Sequence, residues 1–260
     1  MCRPVRITTW NVNGIRAAIR KGFARYLDEI APDVLLLQEV RALPEQLPKE
    51  WQTPEGWYVY WHPAKKKGYS GTSLWSREPF DVVETGFTKA DSDEEGRVLT
   101  ARVGDLSVSS VYLPSGSSGE ERQAVKDEWL VNFRRWANRR RENGPTIFGG
   151  DFNVAHTASD IFYAKSNEKT SGFLPHEREW FTELLESGWH DLSREHFGDV
   201  QGPYSWWSNR GRARELDRGW RIDYLLSNSE VRERMQSVEI HREAGITVSD
   251  HAPVSVDLAD

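Results

Sequence analysis

The sequence contains very little cysteine. Among its 260 residues there is a single one, Cys2, so no intrachain disulfide can form. A structural zinc site built from several thiolates is excluded for the same reason. A reducing compartment is the natural inference, although many secreted proteins also lack disulfides.

Long hydrophobic runs are also missing. No apolar stretch approaches the ~20 residues that a membrane-spanning helix needs. The first residues, Met1 to Ile7, lead directly into a strand-like pattern without the apolar segment of a signal peptide. We therefore expect a cytoplasmic protein that has no membrane partner.

Positive charge is not in excess, since the formal net charge is -6. This balance argues against a protein held on nucleic acid by bulk charge, which usually shows as surplus lysine and arginine. It does not exclude a nuclease whose positive charge is local and whose metal ion supplies the rest. The 12 tryptophans are unusual for this length, and such rings serve either in a core or in stacking on bases and sugars.

A single domain covering residues 1–260 is predicted, because the sequence has no fixed repeat, no low-complexity tract and no linker rich in Pro, Gly or Ser. Apolar patterns predict strands at 6–11, 34–37, 57–61, 71–75, 99–103, 106–113, 222–226, 238–240 and 254–258, and another beginning at Thr146. Helical spacing predicts helices at 17–30, 120–141 and 175–186. This interleaving indicates an α+β or layered fold with sheets in the middle and helices outside.

The segment from Thr146 to Asn153 is the clearest candidate for chemistry. Its apolar run breaks at Gly149-Gly150, where backbone can approach a ligand, and then presents Asp151 and Asn153. Two residues apart in an extended chain, these side chains project to the same side. Together they could hold Mg²⁺, align a water or donate to a phosphate. A simple turn is the alternative, because Gly, Asp and Asn are ordinary turn residues.

Other polar residues lie in or at the ends of the predicted strands. They are Asn11, Glu39, Tyr112, Asp223, Asp250 and His251. Each alone has a structural explanation, such as a helix cap, a core tyrosine or a turn. Together they are harder to dismiss, because buried carboxylates are costly without partners or a metal. An oxygen-rich cluster suits Mg²⁺, with Mn²⁺ as an alternative.

Eight motifs carry a family resemblance in their order along the chain. They are Trp10-Asn-Val-Asn-Gly-Ile-Arg16, Leu37-Gln-Glu39, Gly68-Tyr-Ser-Gly71, Val111-Tyr-Leu-Pro-Ser115, Gly149-Gly-Asp-Phe-Asn153, Gly172-Phe-Leu-Pro175, Trp220-Arg-Ile-Asp-Tyr224 and Ser249-Asp-His-Ala-Pro253. The ordered set resembles the exonuclease III family of abasic-site endonucleases, within the endonuclease/exonuclease/phosphatase superfamily. The resemblance runs from about residue 6 to 258.

The resemblance implies a four-layered α/β sandwich, with two packed mixed β-sheets flanked by helices. It implies a Mg²⁺-dependent DNA repair nuclease that hydrolyses the phosphodiester 5′ to abasic sites in double-stranded DNA during base excision repair. Accompanying 3′→5′ exonuclease and 3′-phosphodiesterase or phosphatase activities are expected, on DNA with abasic or 3′-blocked lesions. A monomer associated with the nucleoid is also expected.

The resemblance also implies roles for individual residues. The expected metal ligands are Asn11, Glu39, Asp151, Asn153, Asp250 and His251, with Glu39 the principal one and Asp250 at a second metal position. Asp151 would align or deprotonate the attacking water, while Asn153 would hold water or a phosphoryl oxygen. His251, oriented by Asp223, would act either as base or as a donor to the phosphoryl oxygen. Tyr112 would donate to the phosphate or protonate the leaving group.

A DNA-facing loop is predicted before Asp223. It contains Arg210, Arg212, Arg214, Arg218 and Arg221 with Trp206, Trp207 and Trp220. Guanidinium groups would contact phosphates, and rings would receive a flipped-out sugar. The resemblance implies an apolar pocket for the abasic sugar made by Trp206, Trp220 and Ile222. A solvated basic loop anchored by tryptophan is the alternative.

Four departures from the family pattern bear on specificity. Asn13 stands where many relatives have aspartate, and Ser118 stands where animal relatives have an arginine that inserts into DNA. Arg210 falls where those relatives have an apolar inserting residue, and could substitute for it. The segment 160–170 has no evident match, so this loop could alter substrate preference.

Two other functions compete with the repair nuclease. A phosphodiesterase or phosphatase of the same superfamily, acting on non-DNA substrates, predicts no arginine and tryptophan loop before Asp223. A catalytically silent DNA-binding protein predicts the loss of a residue such as Glu39, Asp151 or His251, yet all are present.

Overall fold

The computed structural model describes residues 3–81, 83–88 and 93–259; Cys2, on which the disulfide argument depends, lies outside them. The strands of the described chain are β1 (Val5–Asn11), β2 (Val34–Gln38), β3 (Tyr58–His62), β4 (Thr72–Ser76), β5 (Val83–Thr85), β6 (Val98–Val103), β7 (Leu106–Tyr112), β8 (Thr146–Asp151), β9 (His190–Asp191), β10 (Asp223–Ser227), β11 (Met235–Ile240) and β12 (Val254–Leu258). Its α-helices are α1 (Ile15–Arg20), α2 (Phe23–Ile30), α3 (Lys49–Gln52), α4 (Glu120–Arg140), α5 (Ala164–Asn167), α6 (Pro175–Glu186), α7 (Leu192–Phe197), α8 (Ser229–Arg232) and α9 (Arg242–Val248).

The strands form two mixed sheets of six strands each. The first has the order β11-β12-β1-β2-β4-β3 and the second the order β5-β6-β7-β8-β10-β9. Each contains one parallel pair, β1 with β2 and β7 with β8, and the other neighbours are antiparallel. Strands β6 and β7 form a hairpin at Gly104-Asp105, where Val103 pairs with Leu106.

Strand β2 shows how the apolar pattern builds the layers. Val34 and Leu36 enter the core between the two sheets, whereas Leu35 and Leu37 pack on the outer side with Trp75. A strand covered on both faces must be apolar at every position. The continuous run in the sequence is therefore explained by burial on both sides.

Helices cover the outer faces and complete the predicted four-layered sandwich. Helices α1, α2 and α9 contribute to the cluster outside the first sheet, and α4 and α6 to the aromatic cluster outside the second. None of the helices in the described part of the chain combines the length and apolar content that a membrane crossing requires.

Two sequence expectations were wrong. The helix predicted at 17–30 is two helices, because Lys21 and Gly22 separate them and Gly22 has a φ of 100°. The glycines at 149 and 150 lie inside β8, not against a ligand. A Cβ on Gly149 would lie 2.6 Å from Leu36 of the facing sheet, so glycine is required there for sheet packing.

Candidate active site

The polar strand-end residues meet at one edge of the sandwich. Asn11 ends β1 and Glu39 follows its parallel neighbour β2. Tyr112 ends β7, and its register partner Asp151 ends the parallel strand β8. Asp223 begins the antiparallel strand β10 opposite Asp151. Strand direction and register therefore bring together residues far apart in the sequence.

Asn11 joins two of the buried carboxylates. Its Nδ2 donates to Glu39 Oε1 at 3.0 Å and to Asp151 Oδ2 at 2.9 Å. Its side-chain oxygen accepts the Asn13 N–H at 3.0 Å. Two carboxylates on one side and an N–H on the other determine which way the amide faces. Asn11 thus positions both acids in this structure, and its role as a metal ligand stays a prediction.

Glu39 is buried and held from two sides. The Tyr112 hydroxyl donates to Oε1 at 2.6 Å. Oε2 makes no hydrogen bond in the described part of the chain, although the Arg41 guanidinium lies against it as an ion pair. Burial, followed by the charges of Glu39 and Asp151, raises the pKa of Tyr112 well above its usual value. Tyr112 therefore stays a hydrogen-bond donor at neutral pH.

Asp151 occupies the centre of the site. Besides Asn11, it accepts the Asn153 N–H at 2.9 Å, while Asn153 Nδ2 donates to the Leu113 carbonyl at 2.9 Å. Burial has the largest effect on the pKa of Asp151 and raises it. The charge of His251 lowers this pKa, the charges of Asp223 and Glu39 raise it, and the result is a pKa of about 7. A carboxyl with this pKa exchanges protons near neutral pH, as a general base must.

His251 is oriented by Asp223. Its Nδ1 lies 2.9 and 3.1 Å from the two Asp223 oxygens, and its Nε2 lies 3.9 Å from Asp151 Oδ2. Burial lowers the pKa of His251, but Asp223, Asp151 and Asp250 together outweigh it and raise the pKa to about 10. Ser205, which sequence reasoning missed, donates to Asp223 Oδ2 at 2.7 Å. No motif marked this serine.

One candidate metal group lies at the centre of these contacts. Ligand atoms of Glu39, Asp151 and His251 all fall within 4.8 Å of one another. Asp250 is not part of this group. Its oxygens accept hydrogen bonds from Asn13 Nδ2 at 2.7 Å and Trp206 Nε1 at 3.3 Å. Asn13 therefore holds Asp250, and the second metal position at Asp250 stays a prediction.

Left-handed backbone occurs at several residues of this edge. Of the eight described non-glycine residues with positive φ, four lie here, at 46° in Asn13, 51° in Glu39, 50° in Arg41 and 49° in Asn153. Outside asparagine such conformations are uncommon, and each costs about 1–3 kcal/mol. The surrounding contacts hold this strain at the residues that carry the candidate chemistry.

A cleft of about 360 Å³ opens over the site. Glu39, Asp151 and His251 lie in its lining, together with Trp206, Trp220 and Ile222. The two tryptophan rings meet edge to face, with centroids 6.1 Å apart. The three residues predicted to form a sugar pocket therefore lie beside the acids. Ser115, Ser117, Thr170 and Ser171 also line the cleft and were not predicted.

The predicted DNA-facing loop is only partly exposed. Arg221 is 1% exposed in its side chain and pairs with buried Asp160 and Asp191, and Trp207 is fully buried. Arg212 pairs with Glu215. Arg210 is exposed but does not line the cleft. Arg221 and Trp207 are therefore structural, because ion pairing and packing remove both from solvent.

Comparisons with known proteins agree with this geometry. The family model described as Endonuclease/Exonuclease/phosphatase family matches residues 8–251. The chain is 38% identical over 254 residues to an exodeoxyribonuclease of Bacillus subtilis, covering 97% of this chain and 98% of that protein. It is 36% identical over 258 residues to the DNA repair nuclease APEX1 of Danio rerio, covering 98% and 82%.

Solved structures are similar as well. The 3′-5′ exonuclease NExo of Neisseria meningitidis gives a TM-score of 0.90 at 26% identity, covering 98% of this chain and 100% of that one. The AP endonuclease LMAP of Leishmania major gives 0.88 at 26% identity, covering 99% and 88%.

Proposed function

The chain belongs to the endonuclease/exonuclease/phosphatase family and is a DNA repair nuclease of the exonuclease III type, and we propose that it hydrolyses the phosphodiester 5′ to an abasic site in double-stranded DNA. The reaction depends on Mg²⁺ and leaves a 3′-OH and a 5′-deoxyribose phosphate. The same site trims 3′ ends as an exonuclease and as a phosphodiesterase or phosphatase.

The observation that carries this proposal is the convergence of Glu39, Asp151 and the His251–Asp223 pair in one cleft. Phosphodiester hydrolysis needs an aligned water, donors to the phosphoryl oxygens and charge stabilisation of the leaving oxygen. These groups supply each of them from rigid strand ends.

The donor set fits a divalent cation. Glu39 and Asp151 are buried carboxylates, and Glu39 Oε2 has no hydrogen bond within the described residues. The Arg41 guanidinium against that oxygen indicates that the position favours positive charge. Glu39 and Asp151 would hold the ion, with His251 at its edge, as oxygen-rich ligands suit Mg²⁺ or Mn²⁺. When bound, the ion would polarise the phosphate and stabilise the leaving 3′-oxygen.

Asp151 is assigned to the attacking water. Asn11 and Asn153 hold its two oxygens by hydrogen bonds of 2.9 Å, so its orientation in the cleft is restricted. An ionised carboxylate in this orientation can align a water and accept its proton. Asn153 lies two residues on in the same lining and assists in holding water or phosphoryl oxygen.

His251 is assigned to the phosphoryl oxygen. With Nδ1 bonded to Asp223, its Nε2 is the nitrogen nearer Asp151 and the cleft. Three carboxylates act on this imidazole, so the protonated ring is favoured and both nitrogens donate. Tyr112 donates to Glu39 in this arrangement, so it orients that acid. A contact between Tyr112 and the leaving group requires it to exchange this partner.

Lesion recognition is assigned to the apolar wall of the cleft. Trp206, Trp220 and Ile222 pack with buried Ile161 and Phe173. A pocket with such walls admits a sugar without its base and rejects a complete nucleotide by volume. Flipping is also less costly at an abasic site, because no base pair is lost.

The test is cleavage of an end-labelled duplex that carries one stable abasic analogue. We expect one product ending 5′ to the analogue in Mg²⁺, no product in EDTA, and little endonuclease product from the intact duplex. Equal cleavage in Mg²⁺ and EDTA would contradict the metal assignment. Hydrolysis of small phosphate esters without cleavage of the abasic duplex would instead favour a phosphatase acting on non-DNA substrates.

A further inference from the structure

An exposed aromatic pair lies between buried Asp160 and helix α5. Phe162 and Tyr163 are 43% and 49% exposed, and their rings meet edge to face with centroids 4.7 Å apart. The Arg218 guanidinium lies 5.8 Å from the Phe162 ring and 5.6 Å from the Tyr163 ring. We call these three side chains the aromatic platform. Each of the two aromatic residues therefore presents nearly half of its surface to solvent.

The aromatic platform is connected through the chain to the cleft wall, and its own three side chains lie outside the cleft lining. The preceding residue, Ile161, pairs with Trp220 across a β-bridge and packs beside Ile222 in the cleft wall. Phe162 itself donates its N–H to the Gly219 carbonyl at 3.0 Å. Arg218 precedes Trp220 by two residues, about 7 Å of extended chain. That distance corresponds to roughly two stacked nucleotides at ~3.4 Å each.

The segment that carries the platform is held in place from both sides. Before it, buried Asp160 is paired with Arg194 and Arg221. After it, Asn167 Nδ2 donates to the Tyr163 carbonyl at 2.8 Å, and the Thr170 N–H donates to the Asn167 carbonyl at 2.8 Å. Exposed rings on a fixed loop are organised before binding, which reduces the entropic cost of a contact.

We propose that the aromatic platform stacks against an unpaired base of the DNA strand next to the abasic position. Aromatic rings accept any base, because every base has a π-face, and an adjacent arginine adds a phosphate or cation–π contact. The occupant is DNA rather than protein, since the platform carries Arg218 and follows directly on Ile161, which packs in the wall of the proposed DNA cleft. This inference rests on the proposed function, because it places the abasic sugar against Trp220.

The test measures binding in EDTA, so that no cleavage occurs. The probe is an abasic duplex with the fluorescent base 2-aminopurine unpaired beside the abasic analogue, compared with the same duplex fully paired and without a lesion. The double variant Phe162→Ala/Tyr163→Ala is compared with Tyr58→Ala/Tyr60→Ala, a control pair on β3 with 51% and 40% exposure.

We expect wild-type protein to quench 2-aminopurine, and the platform variant to bind this probe about 5- to 150-fold more weakly while losing the quenching. The exchange Phe162→Tyr/Tyr163→Phe should retain both properties, as should the Tyr58/Tyr60 control. Binding of the fully paired duplex should change little.

Three results would overturn the inference: unchanged quenching in the platform variant, equal weakening on both duplexes, or a dimer by light scattering that the variant converts to monomer. The proposed function fails separately. If wild-type protein does not cut the abasic duplex in Mg²⁺, that function is wrong even where quenching depends on Phe162 and Tyr163. Normal cleavage without platform-dependent quenching would reject only the stacking inference.

Discussion

Replacing Lys126 with methionine should destabilise the protein and misplace part of the active site. Lys126 and Glu177 form an ion pair in which both side chains are 0% exposed. Lys126 Nζ also donates to the Asn153 carbonyl at 2.9 Å. Glu177 Oε2 accepts the N–H groups of Gly172, at 2.6 Å, and of Leu174, at 3.0 Å. The pair therefore joins α4 and α6 to two segments at the cleft.

The size of the expected stability loss follows from the buried charge of Glu177, which remains after Lys126 is replaced. In Lys126→Met, Glu177 stays enclosed without its cation, and breaking such a pair costs about 3–5 kcal/mol. For a domain of this size about 1 kcal/mol shifts the melting temperature by 2–4 °C. The melting temperature should therefore fall by roughly 6–20 °C. Arg25→Met is the matched control, because its pair with Glu29 is 63% and 50% exposed and such pairs contribute at most about 1 kcal/mol.

A second variant separates stability from positioning. In Lys126→Met/Glu177→Gln no uncompensated charge remains, and the glutamine oxygen can still accept from Gly172 and Leu174. Most of the lost stability should return. The Asn153 carbonyl still lacks the donor that Lys126 provided. If the Asn153 side chain shifts by ~1 Å as a result, kcat should stay up to about 100-fold below that of wild type. Calorimetry and cleavage of the abasic duplex measure the two effects.

Two outcomes would refute this reasoning. If Lys126→Met melted within 2 °C of wild type, the pair would not be buried as described. If the double variant recovered kcat along with its stability, Lys126 would have no positioning role at Asn153.

Three further predictions concern the cleft. Asp151→Asn should lower turnover by several orders of magnitude while DNA binding persists, because it removes a base at nearly constant shape. The control Asp105→Asn, at a surface side chain that is 64% exposed, should have no effect. Equal turnover in the two variants would reject the role of Asp151 as the base. Glu39→Ala should weaken Mg²⁺ binding in a titration and reduce activity without a lower melting temperature, and an unchanged Mg²⁺ requirement would contradict it. Trp220→Ala should reduce the preference for abasic over intact DNA more than it reduces trimming of a frayed 3′ end, whereas parallel loss of stability and all activities would show that the ring is core.

The sheets could be predicted from the sequence because burial leaves a direct pattern. Strand β12 and helix α6 have the predicted boundaries, Val254–Leu258 and Pro175–Glu186. The short elements were missed for a physical reason. β9 has two residues and α8 has four, too few for any period to appear.

The sequence shows that polar residues end several strands, but it does not show the direction of each contact. Asn11 belongs to the cluster, yet only the positions of Glu39 and Asp151 around it determine that its nitrogen faces both acids. Arg41 belongs to none of the motifs in the sequence, yet it forms an ion pair with Glu39, and both residues have left-handed backbone.

The arginines before Asp223 also show that the sequence alone does not tell which side chains are buried by contacts with distant residues. Residue type and spacing are alike for Arg218 and Arg221, which are three positions apart. Arg221 is buried between Asp160 and Asp191, where opposite charge offsets its desolvation. Arg218 instead lies over two exposed rings. The carboxylates that pair with Arg221 lie 61 and 30 residues away in sequence, so only the fold decides which arginine is buried in ion pairs and which lies on the surface rings.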